Sequence, residues 1–362
     1  MQVIKDRRAL HQIPELAWEL PKTMAYLRNA LEGLKCQVFE PVPGALCAWF
    51  DFGQDHAIAF RTDCDALPIE EKTGLPFAST HPGKMHACGH DGHMAIALEL
   101  ARRMDAKEAM PHNILIVFQP AEEATGGAKI ICETGVFTRY NVQAIFGLHI
   151  WPGLEAGVMH SRMNEMMSLS CEVTVDITGK SSHIANPKAG IDALEAATRL
   201  YAHARRIEAE VPAPYYRLLN FGHVVSGTVR NAISAHTRME GSLRTFQNDV
   251  FEQMKAALRE AAEQVQQQTG CTVSVHFSEG APAVMNPEEL YNRVKKAADF
   301  RELEEPSMTA EDFSWYQQFL PGMFFFLGTG ETPALHASDY SLDEAILTKG
   351  ADFFEKLAEN FL

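Results

Sequence analysis

Cys88 and His90 stand two residues apart around a glycine, in the run Met85-His86-Ala87-Cys88-Gly89-His90-Asp91-Gly92-His93. A thiolate and an imidazole are both good ligands for zinc and its neighbouring divalent metals, and Gly89 allows a tight backbone between them. Asp91 then opens a helix expected over 94–104, where a carboxylate suits the positive end of the helix dipole. His86 and His93 read equally well as solvated residues at a helix start.

A second segment, Gln119-Pro120-Ala121-Glu122-Glu123, places two adjacent carboxylates after an apolar run. One can bind a metal ion while its neighbour, unable to reach the same ion, holds a water and takes its proton. Glu123 is assigned as the ligand and Glu122 as the general base, although a Glu-Glu pair alone is common on surfaces. His149 and His336 carry little meaning singly. Taken together, Cys88, His90, Glu123, His149 and His336 supply five ligands. That is enough for two divalent ions sharing one ligand, with positions left open for water. Two metals about 3.5–4 Å apart form a standard hydrolytic site.

These residues need elements to position them. Residues 57–60, 114–118 and 144–148 are short apolar runs, and each ends in polar, chemically capable residues: Asp63, Glu122-Glu123 and His149. Continuous apolar runs separated by helices, such as one expected over 23–34, indicate strands buried on both faces and a largely parallel sheet. Ligands bind at the carboxyl ends of strands in such sheets. After about residue 166 the pattern changes. Residues 171–178 alternate apolar and polar as a half-exposed strand does. A helix (192–210), strands near 221–224 and 237–244, a helix from 248 to 270 with Asn248 as its expected N-cap, and an alternating strand over 271–277 complete the series. That order gives a four-stranded antiparallel sheet with helices on one side. The expected organisation is α/β: a mostly parallel-sheet domain over 1–165 and 281–362, interrupted by a ferredoxin-like α+β domain over 166–280.

The bulk properties agree. The chain has 362 residues, 46% hydrophobic and 22% charged, as in ordinary globular proteins, and its length suggests two domains. A formal charge of -15 argues against a nucleic-acid or anionic-membrane surface. The N-terminal residues lack the apolar core of a signal peptide, and the most apolar run, 323–327, is far too short to span a bilayer. The seven cysteines form no framework of close spacings, so a reduced, cytoplasmic protein is expected.

The chain resembles the aminoacylase/carboxypeptidase family of co-catalytic metallopeptidases. Within it, the resemblance is to the branch of hippurate hydrolases, auxin-conjugate amidohydrolases and N-acetyldiaminopimelate deacetylases. It covers nearly the whole chain. It is carried by His11-Gln12-Ile13-Pro14-Glu15-Leu16, Arg61-Thr62-Asp63-Cys64-Asp65-Ala66-Leu67-Pro68, Cys88-Gly89-His90-Asp91, Gln119 to Glu123 and Gly147-Leu148-His149. Gly179-Lys180-Ser181-Ser182-His183, Ala310-Glu311-Asp312-Phe313, residues 321–328 and Leu335-His336 extend it.

The resemblance implies that Cys88 bridges two ions, taking the place an aspartate fills in other branches. Glu123 and His336 would complete one position, His90 and His149 the other, and Glu122 matches the general base. More distant relatives carry a metal-binding histidine where this chain has Arg61; Asp63 can still orient a ligand from behind. The inserted domain resembles the family's dimerisation, or lid, domain and implies a homodimer. His183 matches a histidine that stabilises the oxyanion in the neighbouring subunit's site. Asn231 and Arg244 match residues that hold the substrate carboxylate. Ser181-Ser182 and Asn231-Ala232-Ile233-Ser234 depart from the usual Gly-Gly and Asn-Val-Ile-Pro.

The expected activity is therefore hydrolysis of the amide of an N-acyl amino acid by a metal-activated water, with two divalent ions (zinc, manganese, cobalt or nickel) per subunit. N-acetyldiaminopimelate deacetylation and dipeptide cleavage remain open. A non-catalytic binder would need a lost ligand or base, and none is missing. A nucleophilic Cys88 would need a dedicated base and would survive chelation.

Overall fold

A computed structural model of the protein describes residues 1–124 and 126–361. The chain divides into two compact units, one formed by 1–166, 284–306 and 312–362 and the other by 167–283 and 307–311.

The first unit is built on an eight-stranded sheet. Its spatial order is Gln37–Phe39, Leu46–Phe50, Asn113–Gln119, Ala57–Asp63, Val142–Trp151, Gly322–Gly328, Met159–Ser161 and Arg301–Glu302. The four central strands, from Asn113–Gln119 to Gly322–Gly328, run parallel. Antiparallel pairs join them to the strands on either flank. Asn113–Gln119, Ala57–Asp63 and Gly322–Gly328 are buried at every residue, as expected of strands covered on both faces. Because the strands are parallel, Asp63, Gln119 and Trp151 end at the same edge of the sheet, and the chemically capable residues follow there.

The helix His90–Asp105 packs behind that edge, against the sheet and against the helices Gln2–His11 and Ile346–Asn360. It starts four residues before the expected Met94. Gly89, at φ 85°, turns the chain into it, in a left-handed conformation that glycine adopts without the penalty a Cβ brings. No side chain caps the helix. The Asp91 carboxylate stands in the first turn, as expected for the positive end of the helix dipole, and also pairs with Arg7 and His11, each at 2.8 Å. The helix expected over 23–34 runs over Pro21–Leu31, with proline in the first turn, where its missing N–H costs nothing.

The second unit has a four-stranded sheet in the order Thr272–Phe277, Leu169–Thr178, His236–Thr245, Arg217–Ser226, antiparallel throughout. Along Leu169–Thr178 the odd-numbered residues Leu169, Cys171, Val173, Val175 and Ile177 are buried. The helices Ala193–Glu210 and Asn248–Thr269 supply the matching apolar faces, with Leu200 and Ile207 on one and Phe251, Met254, Leu258 and Val265 on the other. The expected cap Asn248 is already helical, and Gln247 takes the cap position, with no capping hydrogen bond from its side chain. Thr245 Oγ1 donates to the Gln247 carbonyl at 3.1 Å, which sets the turn one residue earlier than the sequence pattern indicates.

Among the described residues no helix is long and apolar enough to cross a membrane. All seven cysteines are free.

Candidate metal centre

The five candidate ligands, distant in sequence, converge at the carboxyl edge of the large sheet. Cys88 Sγ lies 3.3 Å from His149 Nε2 and 3.3 Å from His336 Nε2. His336 Nε2 is 3.2 Å from Glu123 Oε1, and His90 Nε2 is 3.9 Å from the same oxygen. Two triads result, Cys88-His90-His149 and Cys88-Glu123-His336, each with its donor atoms within 4.8 Å of one another. The sulfur belongs to both.

Hydrogen bonds on the far side of each ring determine which nitrogen faces inward. His90 Nδ1 meets the Asp65 carbonyl at 2.8 Å, and His149 Nδ1 meets the Ile150 carbonyl at 2.7 Å. A carbonyl only accepts, so both Nδ1 atoms carry the proton and both Nε2 atoms present lone pairs. Burial pushes His149 down to about 3, which keeps it neutral. Burial opposes the Glu123 charge, but the hydrogen bond with His336 outweighs it and holds that carboxyl below its ordinary range. Three imidazoles, a carboxylate and one shared sulfur fit a pair of divalent ions. Burial and the neighbouring Glu123 and Glu122 drive the Cys88 thiol well above its ordinary range, the opposite of what a free nucleophilic thiolate needs.

His336 reaches the cluster from a loop at φ 65°, a left-handed backbone uncommon outside glycine. Its N–H donates to the Ala87 carbonyl at 2.9 Å, so the residue next to Cys88 fixes the loop. The imidazole is about half exposed (52%), whereas His90 is fully buried. The open side of the site therefore lies at His336.

Glu122 Oε2 is 4.0 Å from His90 Nε2, beside the cluster, where the sequence assigns a base. What positions it is a residue the sequence reading passed over. Asp65 accepts the backbone N–H of Glu122 at 3.0 Å and that of Glu123 at 3.1 Å. Its carbonyl is the group that orients His90. One residue thus holds the proposed base and two proposed ligands, and burial raises its carboxyl to about 6. The spacing Asp63-x-Asp65 after a buried strand was the available signal. Just before the pair, Ala121 takes φ 56° and donates its N–H to the Ala17 carbonyl at 3.1 Å.

Asp63 lies deeper. It receives Arg61 Nη1 at 2.9 Å and His93 Nδ1 at 2.7 Å, and Oδ2 sits 3.7 Å from His90 Nε2. His93 Nε2 accepts the Ile150 N–H at 2.8 Å. Both His93 nitrogens are engaged, so it is a buried structural histidine and not a solvated one. His86 is also buried, and burial pushes it down to about 3.

His183, Asn231 and Arg244 belong to the second unit. His183 and Asn231 are neighbours there: the Asn231 carbonyl accepts the Ile184 N–H at 3.0 Å, and His183 bridges to Ala232. His183 is exposed, and its Nδ1 accepts the Ala185 N–H at 3.1 Å. In the neutral ring this leaves Nε2–H as a donor. Arg244 is half-buried and donates to two neutral oxygens, Ser242 Oγ at 3.2 Å and the Met308 carbonyl at 2.7 Å.

Comparison with known proteins adds the following. Residues 59–360 match the model of peptidase family M20/M25/M40. An N-acetyldiaminopimelate deacetylase of Limosilactobacillus reuteri (strain DSM 20016) is 35% identical over 97% of this chain and 96% of its own length. An uncharacterized hydrolase of Staphylococcus aureus (strain USA300) is 33% identical over 99% and 98%. The crystal structure of a dinuclear metal binding peptidase of the M20 family from Bacillus subtilis superimposes with a TM-score of 0.85. It is 30% identical and covers 100% of this chain and 98% of that one.

Proposed function

The chain belongs to peptidase family M20/M25/M40, as a metal-dependent amidohydrolase, and from that premise we propose that it hydrolyses the amide bond of N-acyl amino acids. The observation that carries this reading is the shared sulfur: Cys88 belongs to both donor triads, with the Glu122 carboxylate beside them. Cys88, His90 and His149 would hold one ion, and Cys88, Glu123 and His336 the other. When bound, such a pair polarises the scissile carbonyl and acidifies a water.

The chain's own residues supply the rest. Glu122 takes the proton of the attacking water and returns it to the leaving nitrogen. Asp65 holds Glu122 and Glu123 in register, and Asp63, through His93, braces the cluster from below. His183, with Nε2–H available, would donate to the oxyanion formed in the neighbouring subunit's site of the proposed homodimer. Arg244, whose guanidinium now faces neutral oxygens, and Asn231 would hold the substrate carboxylate. N-Acetyldiaminopimelate is the specific candidate among such substrates, supported by the deacetylase relative.

The second unit would form a homodimer. Arg217–Ser226 lies at the edge of its sheet and exposes Val224 and Val225, and an unprotected apolar edge strand invites pairing. Seven free cysteines favour a reducing, cytoplasmic setting.

The deciding experiment is hydrolysis of hippurate, N-acetylmethionine and N-acetyldiaminopimelate by chelator-stripped protein, with zinc, manganese, cobalt or nickel returned singly. Activity restored by a metal supports the reading, and the preferred substrate names the branch. Folded, metal-loaded protein that cleaves none of the three would refute it in favour of a peptide substrate or a binder.

A further inference from the structure

Arg61 has no place in the chemistry above, yet its side chain is fully buried on a central strand. Its guanidinium makes three different contacts: Nη1 with Asp63 Oδ2 at 2.9 Å, Nη2 with Asp312 Oδ1 at 2.8 Å and Nε with Gln119 Oε1 at 2.8 Å. One cation is shared by two buried carboxylates. Gln119 closes the ring by donating to both Asp312 oxygens, at 2.8 and 2.7 Å, and its Oε1 also accepts Tyr316 Oη–H at 2.9 Å.

Two chains of hydrogen bonds leave this hub. One runs from Asp63 to His93 Nδ1, from His93 Nε2 to the Ile150 N–H, and from the Ile150 carbonyl to His149 Nδ1. It ends on a proposed ligand and fixes which His149 nitrogen faces the cluster. The other runs from Asp312 Oδ2 to the Ala128 N–H at 3.1 Å, in the first turn of the helix Gly127–Glu133, just beyond the turn that carries Glu122 and Glu123. Asp65 secures that turn from its other end.

We propose that Arg61 is a positioning residue that preassembles the metal centre, orienting His149 through Asp63, His93 and Ile150 and anchoring the Glu122-Glu123 turn through Asp312, before any ion binds. Every link lies among the protein's own groups, and none passes through an ion. A lysine cannot substitute. A single ammonium carries the charge but not the planar fork that reaches Asp63, Asp312 and Gln119 at once. The inference rests on the assignment of His149 as a ligand in the proposed function.

The test reads the His93 ring by nitrogen and proton NMR in the whole, metal-free protein, with His93→Gln to assign the signal. Preassembly requires a downfield Nδ1–H resonance for His93 without metal and little change when zinc is added. A resonance that appears only with zinc overturns the proposal. This needs neither turnover nor a correct substrate, so it fails independently of the proposed function. Arg61→Lys should lose the resonance, bind cobalt at least tenfold more weakly, and lower kcat about 100-fold with KM within threefold, on whichever substrate the wild type cleaves. Retention of the resonance and of kcat within threefold would show that charge alone suffices and would overturn the role given to the fork. Should Arg61→Lys fail to fold, the wild-type measurement still decides whether the site is preassembled.

Discussion

The carboxylate of Asp65 accepts the backbone N–H of Glu122 at 3.0 Å, so the proposed base is held through its main chain. Asp65→Ala would leave two adjacent N–H groups without their acceptor and free the Glu122-Glu123 turn, while the main-chain carbonyl still orients His90. A misplacement of about 1 Å costs on the order of 100-fold in rate. We expect kcat to fall by that order with the protein still folded, checked by steady-state kinetics beside circular dichroism. A kcat within threefold of wild type would remove Asp65 from the machinery.

Glu122→Gln keeps the shape and removes the base. Loss of a general acid–base group costs about 10²–10⁴-fold. The variant should retain two metals per subunit by elemental analysis while kcat falls in that range. Full activity would overturn the assignment of Glu122.

Cys88 is common to both triads, so its removal should affect both ions. Cys88→Ala is expected to lose most bound metal and all measurable activity. Cys88→Asp, which offers two oxygens at the same place, should bind more metal than the alanine variant. Equal metal content in wild type and Cys88→Ala, by elemental analysis after gel filtration, would exclude a shared sulfur ligand.

The helix Gln2–His11 is pinned to the ligand-bearing helix by a buried ion cluster. Burial disfavours the His11 charge, but Asp91 and Glu71 outweigh it and raise His11 from 6.5 to about 9. A raised folded pKa stabilises the protein fully below the unfolded value of about 6.5, and this contribution is lost as pH rises toward 9. The scale is about 3 kcal/mol by linkage. Urea unfolding at pH 6.5 and 9.5 should show a larger loss for wild type than for His11→Gln. Equal losses would mean that His11 is not charged in the folded protein.

Val224 and Val225 expose 49% and 53% of their surface on an edge strand. Replacing both with aspartate should convert the proposed homodimer to monomer without unfolding the second unit. Light scattering after size exclusion checks this. A monomeric wild type would refute the dimer outright.

Much of the fold was legible from local pattern. The runs 57–60, 114–118 and 144–148 lie in central strands that are buried almost throughout, because continuous apolar runs have no polar face to give to water. The alternation over 171–178 likewise matches a strand with one face under helices. Helix starts were less legible: the helix expected from residue 94 begins at His90, after the left-handed turn at Gly89, and Asn248, expected as a cap, already lies within its helix.

By itself the sequence determined the inventory: which side chains can bind a metal or move a proton, and on which strands and turns they stand. Residue type and spacing are local properties, and periodicity reports them. Only the tertiary structure decided that Cys88 is within 3.3 Å of both His149 and His336. It also decided that His93 is used at both nitrogens, and that Asp65 and Arg61 are hydrogen-bonded to several residues around the cluster. Those relations join residues tens to hundreds of positions apart. They depend on strand order, on backbone N–H and carbonyl directions and on the tautomers these impose, none of which leaves a mark in the linear spacing of the chain.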